Sequence, residues 1–213
     1  MFAETYFLED SMSFLEQMGL VGLPLLACAV IVTTIISERF YVLMRYSGVP
    51  DDVVEKILQH PMESIVDSMV SFDLKKWKTG FLLMELCEKS HLDQEEREHY
   101  LSIKMMKLQR ELLRYLPLLK LVASIAPLLG LLGTILGMIQ AFDSIATSHG
   151  PVSPALIANG ISQAMLTTAA GLIIAIPSLI AYSMFHMRIN SIIQLLTEQL
   201  NALNHHLTHG VHS

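Results

Sequence analysis

The chain has 213 residues and a formal net charge of −6, with 52% hydrophobic but only 16% charged residues. This composition excludes an ordinary soluble domain, because the mean hydropathy is +0.48 and the charged residues are confined to blocks. The negative net charge and the lack of a basic stripe on one face exclude a nucleic-acid partner.

Three stretches without Asp, Glu, Lys or Arg determine the predicted fold: residues 17–37, 121–142 and 144–187. A helix of about 20 apolar residues matches the roughly 30 Å hydrocarbon core of a bilayer. The third stretch is too long for one span, and the break at 150–154 places its helix start near residue 156. We therefore predict an all-α integral membrane protein with transmembrane helices at 17–38, 121–143 and 156–187. Two of these helices are expected to extend into a cytoplasmic helical bundle.

Residues 1–16 precede the first span and are predicted to form an amphipathic segment on the outer membrane surface. This segment is acidic, with Glu4, Glu9, Asp10 and Glu16, and it contains no basic residue. A cleaved signal peptide begins with a basic region, so we expect the first span to be retained.

The orientation follows from the positions of the basic residues. All 14 Lys and Arg residues lie between Arg39 and Lys120 or at Arg188. The positive-inside rule therefore makes 39–120 a cytoplasmic loop and 188–213 a cytoplasmic C-terminal helix and tail. The N-terminal segment and the short loop at 144–155 are predicted to face outward.

Short helices are predicted in the first part of the cytoplasmic loop. Pro50 is followed by two acids, which favours a helix start, since Pro is tolerated there and acids complement the helix dipole. A second helix is expected near Pro61 and a third at about 76–88.

A longer helix is predicted from Asp93, a candidate N-cap, through the second span to about residue 143. Pro117 and Pro127 are candidate kinks in it. After the third span, apolar residues at helical spacing from Ile189 to Leu207 predict a further buried helix face.

Four basic residues mark the predicted cytoplasmic boundary of the membrane and are expected to contact the phosphates of anionic lipids. They are Arg39, Arg45, Lys120 and Arg188. Cys28 and Cys87 are interpreted as structural fillers without a disulfide. The C-terminal histidines are interpreted as a solvated, frayed tail, so the sequence predicts no metal site and no cofactor.

Spans two and three are unusual in their small and polar residues. Span two contains Gly130, Gly133 and Gly137 with Thr134, and span three contains Ser162-Gln163, Thr167, Thr168 and Gly171 before Pro177. Two interpretations stay open from the residues alone: close helix packing, or a polar conduit. Residues 121–142 and 144–187 contain no Asp, Glu, Lys or Arg and no group that titrates in the middle of the membrane, so a proton path would need a titrating group from another chain.

The segments IAPLLGLLGTILGM (125–138) and GISQAMLTTAAGLIIAIP (160–177) resemble the two signature helices of the ExbB/TolQ/MotA proton-channel family, closest to ExbB-type members. The predicted topology and loop length agree, so the resemblance covers nearly the whole chain. It implies a bacterial inner-membrane protein with a periplasmic N-terminus. It also implies a homo-oligomeric ring, a pentamer in known cases, around a single-span ExbD/TolR-type partner that supplies a membrane Asp. Such rings use the proton motive force to energise outer-membrane transport through a TonB-type protein.

The same resemblance assigns roles to individual residues. Thr134 and Thr168 match the family's pore-facing threonines, and Thr167 and Gln163 would belong to the same ion pathway. ExbB-type members often have Glu at the position of Gln163, and Gln cannot titrate. We therefore interpret Gln163 as a hydrogen-bonding pathway residue rather than a proton carrier. The glycines at 130, 133, 137 and 171 and Pro177 are assigned to helix packing.

Several alternatives remain at this stage. A TolQ-like role in envelope integrity and a non-conducting membrane scaffold are the rivals, and sodium could replace protons, since hydroxyls beside a carboxylate can bind either. A MotA-like stator is disfavoured, because those members have four spans. An enzyme is not expected, because the sequence has no phosphate-binding loop, nucleophile–His–acid set or compact Cys/His motif.

Overall fold

A computed structural model describes residues 19–46, 49–59, 79–147 and 154–209. Within these ranges every regular element is a helix and no strand occurs. A short 3-10 turn, Gly19–Val21, comes first. The described residues then form six α-helices: α1 (Gly22–Arg45), α2 (Asp51–Leu58), α3 (Gly80–Glu88), α4 (Gln94–Leu113), α5 (Leu116–Ala146) and α6 (Pro154–His209). Three helical stretches of the described chain are long and apolar enough to cross a membrane. The predicted all-α membrane class is therefore confirmed.

The predicted helix starts at Pro50 and Asp93 are confirmed. Pro50 is the N-cap of α2, and its carbonyl accepts hydrogen bonds from the amides of Val53 and Val54. Asp93 is the N-cap of α4 in an extended backbone conformation, although its side chain makes no capping hydrogen bond. The predicted outer segment at 1–16, the helix near Pro61 and most of the loop at 144–155 lie outside the described residues.

The helix expected from 93 to 143 is divided in two by the structure. α4 ends at Leu113 and α5 begins at Leu116, just before Pro117. Pro117 has no amide hydrogen, and its ring crowds the carbonyl of Leu113 four residues earlier, so the helical hydrogen-bond ladder is interrupted there. Pro127 and Pro177 instead lie inside α5 and α6, which continue past them.

The described chain forms two compact units. We call the first, with residues up to Ser37 and Leu116–Ser183, the membrane unit. The second, Glu38–Tyr115 with Met184–Ser213, is called the loop unit. A small core in the membrane unit contains Val21, Leu25, Ala126 and Ala175.

The core of the loop unit is aliphatic and larger. The apolar face predicted between Ile189 and Leu207 is confirmed, since Leu196, Leu200 and Leu203 are each no more than 2% exposed. They pack with Leu83 and Leu86 of α3 in one cluster. Burial of such side chains contributes roughly 1.5–3 kcal/mol each before the entropy cost.

Arg97 fixes the C-terminal end of α6 within the loop unit. Its Nε donates to Asn204 Oδ1 at 2.9 Å and its Nη2 to Thr208 Oγ1 at 2.8 Å. Its Nη1 donates to the carbonyl of Leu92 at 2.8 Å. The expectation of a frayed tail is therefore wrong as far as His209, because α6 stays helical to that residue.

Candidate ion pathway in the membrane unit

The glycines of α5 let α6 approach its backbone closely. Gly130, Gly133 and Gly137 are all buried. A Cβ added to Gly130 would lie 2.9 Å from both the carbonyl oxygen and the Cα atom of the facing Thr167–Thr168 peptide. One added to Gly133 would collide with the hydroxyl of Thr167. Such approach is the usual reason for small residues between membrane helices.

The close contact extends along much of both helices. On α6, a Cβ at Gly171 would lie 2.5 Å from the Ala126 carbonyl oxygen. At the other end, a Cβ at Gly160 would lie 2.5 Å from Cβ of Ala141. Ala126 and Ala141 are 15 residues apart, so at 1.5 Å per residue the contact is about 22 Å long. It therefore covers most of the thickness of a hydrocarbon core.

Thr167 and Thr168 both direct hydroxyls towards one carbonyl of α5. Thr168 Oγ1 donates to the Gly130 oxygen at 3.1 Å. Thr167 Oγ1 lies 3.3 Å from the same oxygen and donates to the Ala164 carbonyl at 2.7 Å. Thr167 is 1% exposed, whereas Thr168 is half-buried. In this chain Thr167 therefore belongs to the helix contact, and Thr168 reaches its edge.

Thr134 lies one helical turn beyond Gly130 on α5 and is half-buried. Its hydroxyl donates to the Leu131 carbonyl of its own helix at 2.6 Å. In an α-helix the carbonyl of residue 130 points towards residue 134. The backbone of Thr134 therefore lies beside the Gly130 carbonyl that binds Thr168, whereas the Thr134 hydroxyl binds a different carbonyl, that of Leu131.

Gln163 is half-buried and lines a small cavity with Gln140 and Thr167. Of the predicted pathway residues, Gln163 thus shares a space with Thr167, and Thr167 and Thr168 both approach the Gly130 carbonyl. The Thr134 hydroxyl binds Leu131 instead. The sequence reasoning did not identify Gln140 or Gly160. A signal for both was present, since Gln140 falls three residues after Gly137 on the glycine face and Gly160 opens the second signature stretch.

Arg39 is not placed for lipid contact, and this expectation is corrected. The residue is 3% exposed, and its Nη1 donates to the carbonyls of Leu112 at 2.8 Å and Glu111 at 3.3 Å. Those carbonyls belong to the last turn of α4, which the break before Pro117 leaves without helical partners. Glu38 pairs with the guanidinium at 2.7 Å. Arg39 therefore caps the C-terminus of α4.

The other boundary cations are differently placed. Lys120 is exposed, with its Nζ 5.7 Å from the ring centre of Tyr182. Arg188 is exposed and lines an open groove of about 820 Å³. The rest of that groove is largely apolar and includes Phe40, Met44, Met184 and Met187. The side chain of Arg45 lies outside the described set.

A family model described as the MotA/TolQ/ExbB proton channel family matches residues 51–198. The chain belongs to this family. The match includes both helices of the close contact, and it confirms the resemblance predicted from the two signature stretches. Family members are proton-channel or transport subunits, and the mixture of small residues and hydroxyls in α5 and α6 is consistent with that class.

Individual relatives in the MotA/TolQ/ExbB family carry both ExbB and TolQ names. Biopolymer transport protein exbB1 of Vibrio cholerae serotype O1 is 28% identical over 201 residues, covering 92% of this chain and 88% of its own. ExbB-like protein 3 of a Synechocystis species is 30% identical over 190 residues, covering 85% and 89%. Tol-Pal system protein TolQ of Haemophilus influenzae is 38% identical, but over 78 residues and 37% of this chain. Similarity to these ExbB-named relatives is thus the more extensive.

Proposed function

We propose that this chain is the ring-forming, ExbB-like subunit of an inner-membrane proton-channel motor. With an ExbD-type partner it would use the proton motive force to energise TonB-dependent outer-membrane transport. The observation that carries the proposal is the position of Thr168, whose hydroxyl reaches the edge of an uncharged helix contact and is bound there by the Gly130 carbonyl. The long alignment with ExbB-named relatives supports this choice within the family.

The chemistry of the pathway rests on hydroxyls that work beside a carboxylate from the partner. A threonine hydroxyl can donate to a carboxylate, accept from a carboxylic acid and hold water. A second ionised group at the same depth would cost on the order of 3 kcal/mol by insertion scales. The partner's Asp would therefore titrate, and Thr134 and Thr168 would stabilise both of its protonation states. Each proton crossing 100 mV releases roughly 2.3 kcal/mol, enough for a few protons to drive a mechanical step.

We propose a homo-oligomeric ring, pentameric by family resemblance, with α5 and α6 towards its interior. Exposed apolar side chains on α5 support this proposal, because such side chains need to be covered by neighbouring protein or by lipid. They include Leu128, which is 63% exposed, and Leu131, which is 54% exposed. The N-terminus would be periplasmic and the loop unit cytoplasmic, because the basic residues are concentrated there.

Lys120 and Arg188 would bind the phosphates of anionic lipids at the cytoplasmic boundary. Their exposure supports this assignment, and the groove beside Arg188 offers apolar walls for an acyl chain. Arg39 takes no part in it, because its guanidinium is occupied by the α4 carbonyls. The proposed role is transport and not catalysis, and it requires no cofactor.

Substitution of Thr168 by Val tests the proposal, since Val keeps the shape and removes the hydroxyl. We expect Thr168→Val to abolish gradient-driven proton flux in liposomes that contain the chain and its Asp-bearing partner, while the complex still assembles. Thr33→Val is the matched control, because the Thr33 hydroxyl is exposed on α1 and bonds only to its own helix. Full flux in Thr168→Val would remove Thr168 from the pathway.

A TolQ-like role in envelope integrity is the second candidate, supported by the local match to TolQ. Co-purification separates the two, since a TonB-type protein is expected with an ExbB-like ring. Recovery of Tol-system proteins in its place would favour the second candidate. Flux that is unaffected when the partner's Asp is replaced would favour a scaffold without a channel.

A further inference from the structure

A small cavity lies inside the membrane unit, between α5, α6 and the turn that precedes α1. Its volume is about 50 Å³. One water molecule occupies about 30 Å³ in the liquid, so the space can hold one or two. The cavity exists because Gly133 and Gly137 present no side chain towards it.

The polar groups of the cavity match what a bound water needs. The amides of Gln140 and Gln163 line it together with the Thr167 hydroxyl. The proton of Thr167 is already donated to the Ala164 carbonyl at 2.7 Å, which leaves the lone pairs of Oγ1 as acceptors. Each amide offers both donors and acceptors. A water with two to four such partners is stable in a buried polar site.

The amides have a reason to bind water in this position. Among the described residues neither Gln140 nor Gln163 is hydrogen-bonded to another protein group. Gln163 is half-buried, whereas Gln140 is exposed on α5. An unpaired, half-buried amide such as that of Gln163 is unfavourable at membrane depth, because the hydrocarbon offers no partner. The other residues that line the cavity are apolar or glycine, and they include Val21 and Leu136.

We propose that this cavity binds one or two water molecules, held by the amides of Gln163 and Gln140 and by the hydroxyl of Thr167. A cation is disfavoured, because all three groups are neutral and, among the described residues, no carboxylate lines the cavity to compensate its charge. The role of Gln163 is then to hold water through a side chain that both donates and accepts. The inference does not depend on the proposed channel function, because bound water is detectable in a chain that conducts nothing.

Radiolytic footprinting of the full chain in lipid nanodiscs tests the site. Hydroxyl radicals formed from a bound water label the nearest side chains, and Leu136 lines the cavity. We expect Leu136 to be labelled several-fold faster than Leu128, which is exposed on an apolar surface. Equal labelling of the two would mean a dry cavity and would overturn the proposal.

Two variants make the assignment specific. Gln163→Leu and Gln140→Leu are each expected to reduce labelling of Leu136 several-fold without changing that of Ile135, which is exposed on α5. Gln194→Leu is the matched control, because Gln194 is exposed in the loop unit. Unchanged labelling of Leu136 in both cavity variants would refute the site, even if one of them folds poorly.

A cryo-electron microscopy map of the same sample identifies the occupant. One or two peaks at hydrogen-bond distance from Gln163, Gln140 and Thr167 are expected. A peak that thallium replaces would identify a cation and overturn the assignment to water. Continuous density for an acyl chain would overturn it as well.

Discussion

The contact between Gly171 and the Ala126 carbonyl predicts how much α5 and α6 must separate when a side chain is added. A Cβ at Gly171 would lie 2.5 Å from that oxygen. Carbon–oxygen contacts of this kind normally begin near 3.3 Å, so Gly171→Ala requires a local shift of about 0.8 Å. The obstructing atom belongs to backbone and cannot rotate away. The helices themselves must therefore move.

The energetic consequence of Gly171→Ala has two opposing parts. Overpacking typically costs about 1–3 kcal/mol, whereas alanine is favoured over glycine in a helix by about 0.5–1 kcal/mol. We expect a net loss of about 1 kcal/mol for Gly171→Ala, and of about 2 kcal/mol or more for Gly171→Val. A shift of 0.8 Å along the hydrogen bond would also lengthen the 3.1 Å contact between Thr168 Oγ1 and Gly130 to about 3.9 Å, beyond hydrogen-bond range.

The assay is reversible unfolding in lipid bicelles, read as the free energy of unfolding, together with proton flux for the same variants. Ile173→Val is the matched control, because Ile173 is 71% exposed on the same helix and should change stability by less than about 0.5 kcal/mol. The reasoning would be refuted if Gly171→Val unfolded with the wild-type free energy. It would also be refuted if the free energy of unfolding of Ile173→Val fell by as much as that of Gly171→Val.

Further predictions concern the loop unit. Arg97→Lys should destabilise the end of α6 by about 1.5–3 kcal/mol, because lysine cannot reach acceptors in three directions; faster amide exchange in the last turns of α6 would show it, with Arg110→Lys as the control. Burial raises the pKa of Cys87 to about 12, so maleimide should label it at neutral pH only after unfolding. Burial of Glu85 opposes its charged form, but hydrogen bonds from Lys104 and Tyr100 outweigh this and lower its pKa below 4.5. The stabilisation is therefore complete above pH 4.5 and is lost as the pH falls through the folded-state pKa; thermal melts from pH 7 to 3 should show less acid sensitivity in Glu85→Gln.

The sequence was sufficient for the membrane class and the family because both depend on local signals. Uncharged stretches of bilayer length identify spans without any knowledge of tertiary structure. The helix starts at Pro50 and Asp93 are also local, since a cap is determined by a few neighbouring residues. The glycine pattern of α5 predicted which face of this helix packs closely against another helix. It did not predict which atoms of α6 that face contacts.

Other features depend on tertiary contacts that no local pattern contains. Pro117 was predicted as a candidate kink. Whether the helix bends or ends there depends on which groups donate hydrogen bonds to the carbonyls in the last turn of α4. Arg39 satisfies them from a distant part of the chain, at sequence separations of 72 and 73 residues. A basic residue near a membrane boundary favours lipid contact as the simplest interpretation, so its burial could not be anticipated. The cavity beside Gln163 likewise requires three separate elements.

The Gly130 carbonyl has a genetic consequence. It accepts a hydrogen bond from Thr168 and lies within reach of Thr167, yet it is a main-chain group that every amino acid carries. A mutational screen for loss of function can therefore recover the donors but never delete this acceptor. Substitutions at residue 130 itself would be interpreted as packing defects, because the added side chain disturbs the helix contact. The role of the residue 130 carbonyl as a hydrogen-bond acceptor would therefore not be detected. Only a backbone ester at residue 131, which weakens the preceding carbonyl as an acceptor, would separate the two.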